Sequence, residues 1–327
     1  IPPDVQVRQG LQEGLDVLVG HGRVVEVQVL ELFQTGNVLE TIVGDGRVIE
    51  VQSAQLGEFT NVREAGIGDG GFLKAQNGHG AELRLRTLVT GVRVASGRVA
   101  GVDFADGSVL NASVVVNAAG PWSSGLNRLA GVTADMAIAT RPLRQEVHSA
   151  NAPVGFSFGE GGTILGDLDL GYYCVPRPDG KLLAGGVEAD CDPLDWVDNP
   201  DAISPLPTVE LFEAQVWRLA KRVPGLEVPH RPVGLAGAYD VTDDWLPIYD
   251  RTSLDGFYVA VGTSGNQFKN APVVGQAVAE LIEACESGQD HDRHPVQVGC
   301  HLTGQTLNLG AFSRNRTGSI TTGTVLG

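Results

Sequence analysis

The sequence predicts a mixed α/β (α+β) fold in which two strand, turn and helix units flank a long antiparallel sheet. The clearer unit spans residues 256–285, where a mostly apolar run (256–261) suits a buried strand and apolar residues recur at helical spacing after Pro272. The turn between them, residues 262–269, holds small residues, amides and one lysine. Small residues let a ligand approach the backbone closely, and N–H groups at a helix start attract electron-rich atoms, so we expect a ligand at this turn.

An earlier stretch predicts a β-meander that leads into the second unit. Its strands begin at Val89 and are separated by tight turns at residues 96–97 and 106–107. The next apolar strand enters a turn at residues 117–121, which contains Gly and Pro, and a short helix follows until Gly131. The sequence therefore predicts a second strand, turn and helix unit.

Between the two units the pattern is that of an antiparallel sheet. Residues 141–190 are strand-like and are interrupted by turn residues at 161–162 and 178–180. Thr208 is a suitable N-cap for an amphipathic helix, which the Val-Pro-Gly sequence at 223–225 ends.

The two ends of the chain differ from this middle part. Residues 17–28 and 41–52 repeat one another as apolar strand, Gly-x-Gly turn and alternating strand, which predicts a pair of β-hairpins within an atypical region, 1–64. After Glu286 the sequence is polar and rich in Gly, Thr and Asn without helical period. We therefore expect residues 291–327 to form a tail over the surface.

Composition limits the classes of function. The 327 residues are 42% hydrophobic and carry a formal net charge of -16, which argues against nucleic acid or an anionic membrane as a partner. No stretch reaches the roughly 18 apolar residues of a membrane span, so we expect a cytoplasmic protein with a small-molecule ligand. The four cysteines are far apart without a CxxC pair, which predicts reduced thiols. Because the chain begins with Ile1 and its single methionine is Met136, we expect a fragment.

Three local patterns favour structural interpretations. The glycines at 66–71 match a dinucleotide-binding fingerprint, but no buried strand precedes them, and those at 20–22 lack the third glycine. Both are interpreted as turns. His291 and His294 have a spacing that can bind metal on a helix, yet they lie among charged residues, so a solvated loop and no metal site are predicted.

Several ordered motifs resemble one family. Residues 117–123 (NAAGPWS) resemble the NAAGxW loop of the D-amino-acid oxidase-like (DAO) family of FAD-dependent oxidoreductases. The segments 141–146, 234–250 and 262–275 are similar to that family's sheet entry, its strand approaching the flavin ring and its C-terminal flavin-binding turn. The resemblance covers residues 80–327 and is greatest to the branch with sarcosine and dimethylglycine dehydrogenases and the beta subunit of sarcosine oxidase.

The resemblance implies the architecture and the chemistry. A partial Rossmann-like FAD domain, discontinuous in sequence (65–131 and 256–290), would pack against an antiparallel substrate-binding domain (132–255). The implied reaction is hydride transfer to flavin N5 from the carbon beside a secondary or tertiary amine, with a sarcosine-like amine or amino acid as substrate. Another subunit or an electron-acceptor protein is the implied protein partner. The particular amine, the final electron acceptor and the oligomeric state stay open.

The site residues follow from the same motifs. Lys269 is the first candidate catalytic residue because cations are disfavoured at helix N-termini, so a lysine there indicates a ligand; a solvated lysine is the alternative. Tyr172 is the second, since one of Tyr172 and Tyr173 must face inward on a strand, with core packing an equal alternative. The predicted cofactor-binding residues are Val89, Ala119, Gly120, Trp122, Gly262, Ser264, Gly265, Asn266, Gln267, Phe268 and Lys269.

Other residues depart from the family pattern or have a structural role. Arg144 has two candidate partners, a ligand carboxylate and Glu146 on the same strand face, and the sequence favours the structural ion pair with Glu146. The family's N-terminal strand, pyrophosphate-binding glycine turn and ribose-binding acid have no match here, and no cysteine lies near 237–239, so FAD would be held non-covalently. The competing hypothesis is an inactive or truncated family member that binds a small acid or a partner subunit. A metal-dependent amidohydrolase is a third, for which the sequence offers no metal-ligand set.

Overall fold

The computed structural model describes residues 37–38, 54–55, 72–74, 82–84, 86–187, 192–267, 270–300 and 303–318. Two short antiparallel pairs come first: β1 (Asn37–Val38) with β2 (Ala54–Gln55), and β3 (Phe72–Lys74) with β4 (Glu82–Arg84). The repeated hairpins predicted at 17–28 and 41–52, and the glycine turns at 20–22 and 66–71, lie outside the described residues.

The predicted β-meander is confirmed. Strands β5 (Val89–Ala95), β6 (Arg98–Phe104) and β7 (Val109–Asn111) form an antiparallel sheet in sequence order. The turns between them need left-handed backbone, which Gly97 (φ 78°) and Gly107 (φ 83°) supply without strain. The chain continues into β8 (Val115–Asn117) and the helix α1 (Ser123–Ala130), which ends at the left-handed Gly131 as predicted.

A six-stranded antiparallel sheet follows, also as predicted. Its strands are β9 (Thr140–Asn151), β10 (Leu165–Asp167), β11 (Tyr172–Pro176), β12 (Lys181–Gly186), β13 (Asp195–Trp196) and β14 (Gly234–Thr242). The order is β10-β11-β12-β9, and β13 and β14 both pair with β9. Helix α2 (Val209–Arg222) packs on one face, and the Thr208 hydroxyl accepts a hydrogen bond from Leu211 N at its start (3.4 Å). The predicted cap is confirmed.

The second strand, turn and helix unit completes a small sheet. Strand β15 (Ile248–Arg251) pairs antiparallel with β16 (Phe257–Val261), and β16 pairs parallel with β8. Helix α3 (Ala271–Glu286) covers this sheet through Val278 and Leu281. Because β8 and β16 are parallel, the loops that follow them leave the sheet at the same edge. The mixed α/β class is confirmed, whereas the domain boundaries stay a prediction.

The segment after α3 corrects one expectation. Residues 291–318 were expected over the surface, but their described part forms β17 (Gln297–Cys300) and β18 (Gln305–Asn308), and Leu309 is fully buried against α3. The apolar residues that pack there alternate with polar ones, so the segment has period two and low mean hydropathy.

Two polar residues of this segment are buried as well. His291, predicted in a solvated loop, is 1% exposed; its Nδ1 accepts a hydrogen bond from Val296 N (3.1 Å), and its Nε2 lies 3.5 Å from Asp250 Oδ1. Arg314 is buried among the carboxylates of Asp135, Asp250 and Asp292. Charge pairing therefore holds this polar segment in the interior.

No helix in the described part of the chain is long and apolar enough to cross a membrane.

Candidate functional site

The first half of the site is the loop after β8. The Asn117 side chain is fully buried, and its Nδ2 donates to Ser123 O (2.9 Å) and to Asn127 Oδ1 (2.7 Å). Its Oδ1 accepts from Ala119 N (3.0 Å), and Gly120 takes a left-handed conformation with φ 50°. One amide therefore fixes the shape of the turn that contains two of the predicted cofactor-binding residues.

The second half is the loop after β16, which a carboxylate from the large sheet holds in place. Asp240 of β14 accepts hydrogen bonds from Gly262 N (2.6 Å), Thr263 N (3.1 Å) and Thr263 Oγ1 (2.5 Å). Its backbone oxygen accepts a fourth from Ser264 N (3.0 Å). Burial raises the pKa of Asp240, and the hydrogen bonds from Thr263 and Gly262 oppose that rise.

Two glycines in this loop touch the large sheet directly. A Cβ at Gly265 would lie 2.4 Å from the Tyr239 ring, and one at Gly262 would lie 2.3 Å from Thr242 Cγ2. Both glycines have positive φ (76° and 75°), so the backbone conformation and the close contact each require glycine. The loop is thus seated on the end of β14.

The two loops also meet through β9. Ser123 Oγ, at the start of α1, lies 3.0 Å from Thr140 Oγ1 at the start of β9, and both are buried. Thr140 pairs with Thr242 of β14, next to Gly262. The carboxyl ends of β8 and β16 and one end of the large sheet therefore converge, which is where open α/β folds bind ligands.

The predicted cofactor residues fall into separate groups in the structure. Ala119 and Gly120 lie in the first loop; Gly262, Ser264 and Gly265 lie in the second. Val89 instead packs in the core cluster below the loops, with Val115 and Val259.

Trp122 and the two amides make contacts within the protein. Trp122 is 38% exposed, and its Nε1 donates to Asp201 Oδ1 (2.9 Å). Gln267 Oε1 accepts from Tyr249 OH (3.2 Å) and from Asn270 Nδ2 (2.8 Å), and Gln267 also bonds to the Asn266 side chain. These side chains are occupied, so the backbone of this turn is the part available to a ligand.

Backbone N–H groups of this turn support the view that its backbone is available to a ligand. In the described part of the chain, the N–H groups of Gly265 and Gln267 have no acceptor. Two N–H donors in a glycine-bearing turn ahead of α3 can bind electron-rich atoms of a ligand. Phe268 and Lys269 lie outside the described residues.

The two adjacent tyrosines face opposite sides of the large sheet. Tyr172 is fully buried with Leu219 and Val223 on the side of α2, and burial raises its pKa to about 12. Tyr173 lies on the other side with Tyr239, and its ring covers Gly185, where a Cβ would lie 2.4 Å from Tyr173 Cζ. The structure brings Tyr173, not Tyr172, to the side of the two loops.

Charged groups near the site are mainly structural. Arg144 pairs with Glu146, which also accepts from Thr208 N (2.9 Å), so the predicted ion pair is confirmed and connects β9 to the start of α2. The Arg141 guanidinium lies over the Trp196 ring (4.5 Å to its centroid). Within the described residues no group of His, Cys, Asp and Glu has an arrangement that could hold a metal ion.

A cavity lies at the amino end of β16, opposite the two loops. It has a volume of about 130 Å³ and is lined by residues that include Arg98, Arg251, Tyr258 and Glu286. Arg98 pairs with Glu286 and also donates to Ser113 O (2.9 Å), while Tyr258 OH donates to Glu286 Oε1 (2.8 Å). These contacts hold the end of α3 to the sheet and account for the charges there.

Sequence reasoning did not identify Asn117, Tyr239 or Asp240 as site residues. Asp240 offered one signal: it is an acid in the middle of the strand 234–242, whose other residues are uncharged. A buried acid on a strand needs hydrogen-bond donors, and the nearest unassigned donors were the N–H groups of the glycine turn.

Comparisons with known proteins agree with this arrangement. A family model described as FAD dependent oxidoreductase (DAO) matches residues 71–281. FAD-dependent oxidoreductase domain-containing protein 1 of Xenopus laevis is 29% identical over 219 residues, covering 62% of this chain and 38% of that protein. Sarcosine oxidase subunit beta of Rhodobacter capsulatus is 29% identical over 203 residues, covering 62% of this chain and 45% of that protein. The chain thus spans less than half the length of these curated relatives.

A solved structure shows the same fold. L-proline dehydrogenase from P. horikoshii superposes with a TM-score of 0.50 at 25% identity, covering 60% of this chain and 49% of that one. The DAO family is described as FAD-dependent oxidoreductases, and the Xenopus laevis relative carries the same description in its name. With a family match over more than half its length and paired glycine loops at the expected edge of the sheet, the chain belongs to the DAO family of FAD-dependent oxidoreductases.

Proposed function

We propose that this chain carries the ring-side half of an FAD site that oxidises the CH–NH bond of a secondary amino acid or a related amine. The carrying observation is that Asp240 and Tyr239 of the large sheet hold the glycine turn 262–267 on the end of β14, at the sheet edge where the loop after β8 also leaves. This arrangement puts the binding turn and one face of the antiparallel sheet next to each other. A flavin ring bound at the turn would therefore leave room for its substrate between the ring and this face of the antiparallel sheet.

The names of two similar proteins support the substrate class. Sarcosine, named for one relative, and L-proline, named for a solved structure, are both secondary amino acids. Each has a carbon with a removable hydride beside a nitrogen and also an anionic carboxylate. We infer that a substrate of this kind, with the amine neutral at the moment of reaction, is the best match for this chain.

The protein's own groups would bind and orient such a substrate. The N–H groups of Gly265 and Gln267 would hold the polar edge of the cofactor, and Tyr239 supports the turn from behind. Tyr173 lies on the substrate side of the sheet and would form part of the wall that excludes water. When bound, FAD supplies an electron acceptor, because its ring takes a hydride from the carbon beside the amine nitrogen.

Lys269 is the proposed partner of the substrate carboxylate. It follows the N–H groups of Gly265 and Gln267 by a few residues and carries a cation on a flexible stem. The partner that reoxidises the flavin is proposed to be a second subunit or an electron-acceptor protein, since one relative is named as a subunit.

The test is an absorption spectrum of the purified chain after incubation with FAD and desalting. Retained flavin bands that sarcosine, dimethylglycine or L-proline bleaches without air would support the proposal. A folded but colourless protein would instead favour a non-catalytic chain that binds a small acid or a subunit. Bound flavin that no amine reduces would reject the substrate class while leaving the cofactor assignment in place.

A paired experiment tests Lys269. The rate of anaerobic flavin reduction is measured with sarcosine and with sarcosine methyl ester, which lacks the carboxylate charge. Lys269→Ala should remove most of the preference for sarcosine and leave the ester rate nearly unchanged, whereas Lys221→Ala on α2 is the matched control. Equal losses with both substrates would refute the carboxylate-binding role.

A further inference from the structure

The edge of the large sheet at β10 presents an unusual concentration of exposed apolar side chains. Residues 153–170 connect β9 to β11 and include β10, which among the described strands pairs with β11 alone. We name this surface the β10 edge patch. Its members are Val154 (90% exposed), Leu168 (71%), Ile164 (67%), Phe158 (44%) and Leu165 (38%).

The patch sits on a braced loop. The Glu160 carboxylate accepts hydrogen bonds from Gly155 N (2.9 Å) and Ser157 Oγ (2.7 Å), and Phe156 N donates to Pro153 O (3.0 Å). Phe156 turns inward and packs on the cluster around Tyr172. The loop therefore has a fixed inner side, and its outward apolar residues are displayed by a defined backbone.

The exposed area is large enough for a protein contact. Summed over these five side chains, the exposed area is on the order of 500 Å², which is comparable to the largest apolar patch on a typical monomer. It also supplies more than half of the roughly 800 Å² that each partner buries in a standard interface. The outer edge of β10 adds backbone donors and acceptors that a further strand can pair with.

Charge identifies the kind of partner. Residues 145–176 contain no lysine or arginine, and their acidic residues include Glu160, Asp167 and Asp169. Asp167 is paired with Arg222 of α2 (2.7 Å), and the same guanidinium also attracts Asp169, while Glu160 and Asp169 are exposed beside the apolar patch. A second copy of this chain would bring like charges together at the contact, whereas a basic partner would neutralise them.

We propose that the β10 edge patch docks a protein segment that adds a strand to β10 and alternates apolar with basic residues. Main-chain pairing would give the register, and the apolar side chains would cover Ile164 and Leu168. Lysine or arginine flanking them would face Glu160 and Asp169. This proposal is independent of the substrate and of the flavin.

The probe is a fluorescein-labelled peptide, Lys-Val-Lys-Ile-Lys-Val-Lys, whose binding to the full chain is followed by fluorescence anisotropy. We expect saturable binding that Ile164→Ser with Leu168→Ser weakens at least tenfold and that 0.5 M salt also weakens. The control is Val94→Ser with Val109→Ser, two apolar residues on another sheet that are about half exposed (51% and 45%), which should leave Kd unchanged. A peptide with Glu in place of Lys, and one N-methylated on alternate amides, should each bind at least tenfold more weakly.

Three results would overturn the proposal. One is an equal Kd for the Ile164→Ser, Leu168→Ser variant and the parent chain, or no saturation up to millimolar peptide. A second is equal binding of the acidic or N-methylated peptide, because charge and strand addition would then be irrelevant. The third is a dimer by sedimentation velocity that the double variant converts to monomer, since a second copy would then be the occupant.

Discussion

The contact between Gly265 and Tyr239 offers a direct test of how the glycine turn is held. Gly265→Ala places a methyl group on left-handed backbone (φ 76°) and 2.4 Å from an aromatic ring that has no room to swing as a flexible chain end would. The backbone penalty is about 1–2 kcal/mol, and overpacking against the ring adds about 1–3 kcal/mol. We therefore expect the free energy of unfolding to fall by about 3 kcal/mol.

A second glycine separates the two contributions. Gly131 has nearly the same φ (72°), but an added Cβ there meets nothing within 4 Å, so Gly131→Ala should cost only the backbone penalty. Urea unfolding of both variants, followed by circular dichroism, gives the difference. Tyr239→Leu is then combined with Gly265→Ala, and relief of the clash should appear as a coupling of about 1–2 kcal/mol in the double-mutant cycle.

FAD binding supplies the functional half of this test. Gly265→Ala should weaken FAD binding by at least tenfold in a flavin-fluorescence titration, whereas Gly131→Ala should leave it unchanged. If Gly265→Ala costs no more stability than Gly131→Ala, the contact with Tyr239 does not constrain the turn. If it loses stability but keeps full FAD affinity, the turn is structural and the proposed ring-side site is wrong.

Three further predictions concern buried polar groups. Asp240→Asn should lower the free energy of unfolding by about 2–3 kcal/mol, because an amide cannot accept all three hydrogen bonds that the carboxylate accepts. Asp243→Asn, at an exposed position, should cost little. Equal urea midpoints for the two variants would contradict this prediction. Burial lowers the pKa of His148 to about 4. Its neutral form therefore contributes about 3 kcal/mol to the free energy of unfolding above about pH 6.5, and this contribution is lost as the pH falls towards 4. His148→Phe should flatten the dependence of the unfolding free energy on pH in that window, and an unchanged curve would refute the assignment. Arg314→Met should lower the free energy of unfolding by about 3–5 kcal/mol, because it leaves the fully buried Asp250 without its cation. A change in thermal unfolding equivalent to less than about 1 kcal/mol would show that the ion pair does not stabilise the fold.

Local patterns predicted most of the elements that position the site. Apolar runs followed by glycine turns located β8 and β16 with the helices after them, because strand period, turn chemistry and helix period all agree there. The same agreement explains why the cap at Thr208 was predicted to the residue. These are signals carried within a few residues of the feature they specify.

The features that sequence reasoning missed depend on distant partners. Asp240 acts on Gly262 and Thr263, 22 and 23 residues later, and nothing within its own strand shows where those donors lie. His291 and Arg314 were expected at the surface because their burial depends on carboxylates supplied by other segments. Composition predicts exposure for such residues, and only the fold shows the compensating charge.

The two tyrosines show why periodicity alone cannot assign a catalytic wall. Strand alternation required Tyr172 and Tyr173 to face opposite sides, but each side of this sheet carries a buried cluster, one with α2 and the other with Tyr239 and Trp245. Both rings are therefore buried, so hydrophobicity gave no preference. The deciding observation is the pairing of Tyr173 with Gly185 in the register, which lays the Tyr173 ring across the sheet on the side that holds Tyr239.

The link between the two sheets determines what the site can do. Asp240 belongs to the antiparallel sheet, yet its carboxylate holds the turn that leaves the parallel strand β16. Any displacement of β14 would therefore move the turn and the Tyr239 ring with it. In the proposed site, Asp240 and Tyr239 would thus keep the distance between a flavin ring at the turn and a substrate on the sheet constant. Hydride transfer needs the reacting atoms at contact distance in a defined orientation. A rigid connection between the two binding surfaces meets that requirement better than two surfaces joined only by flexible loops.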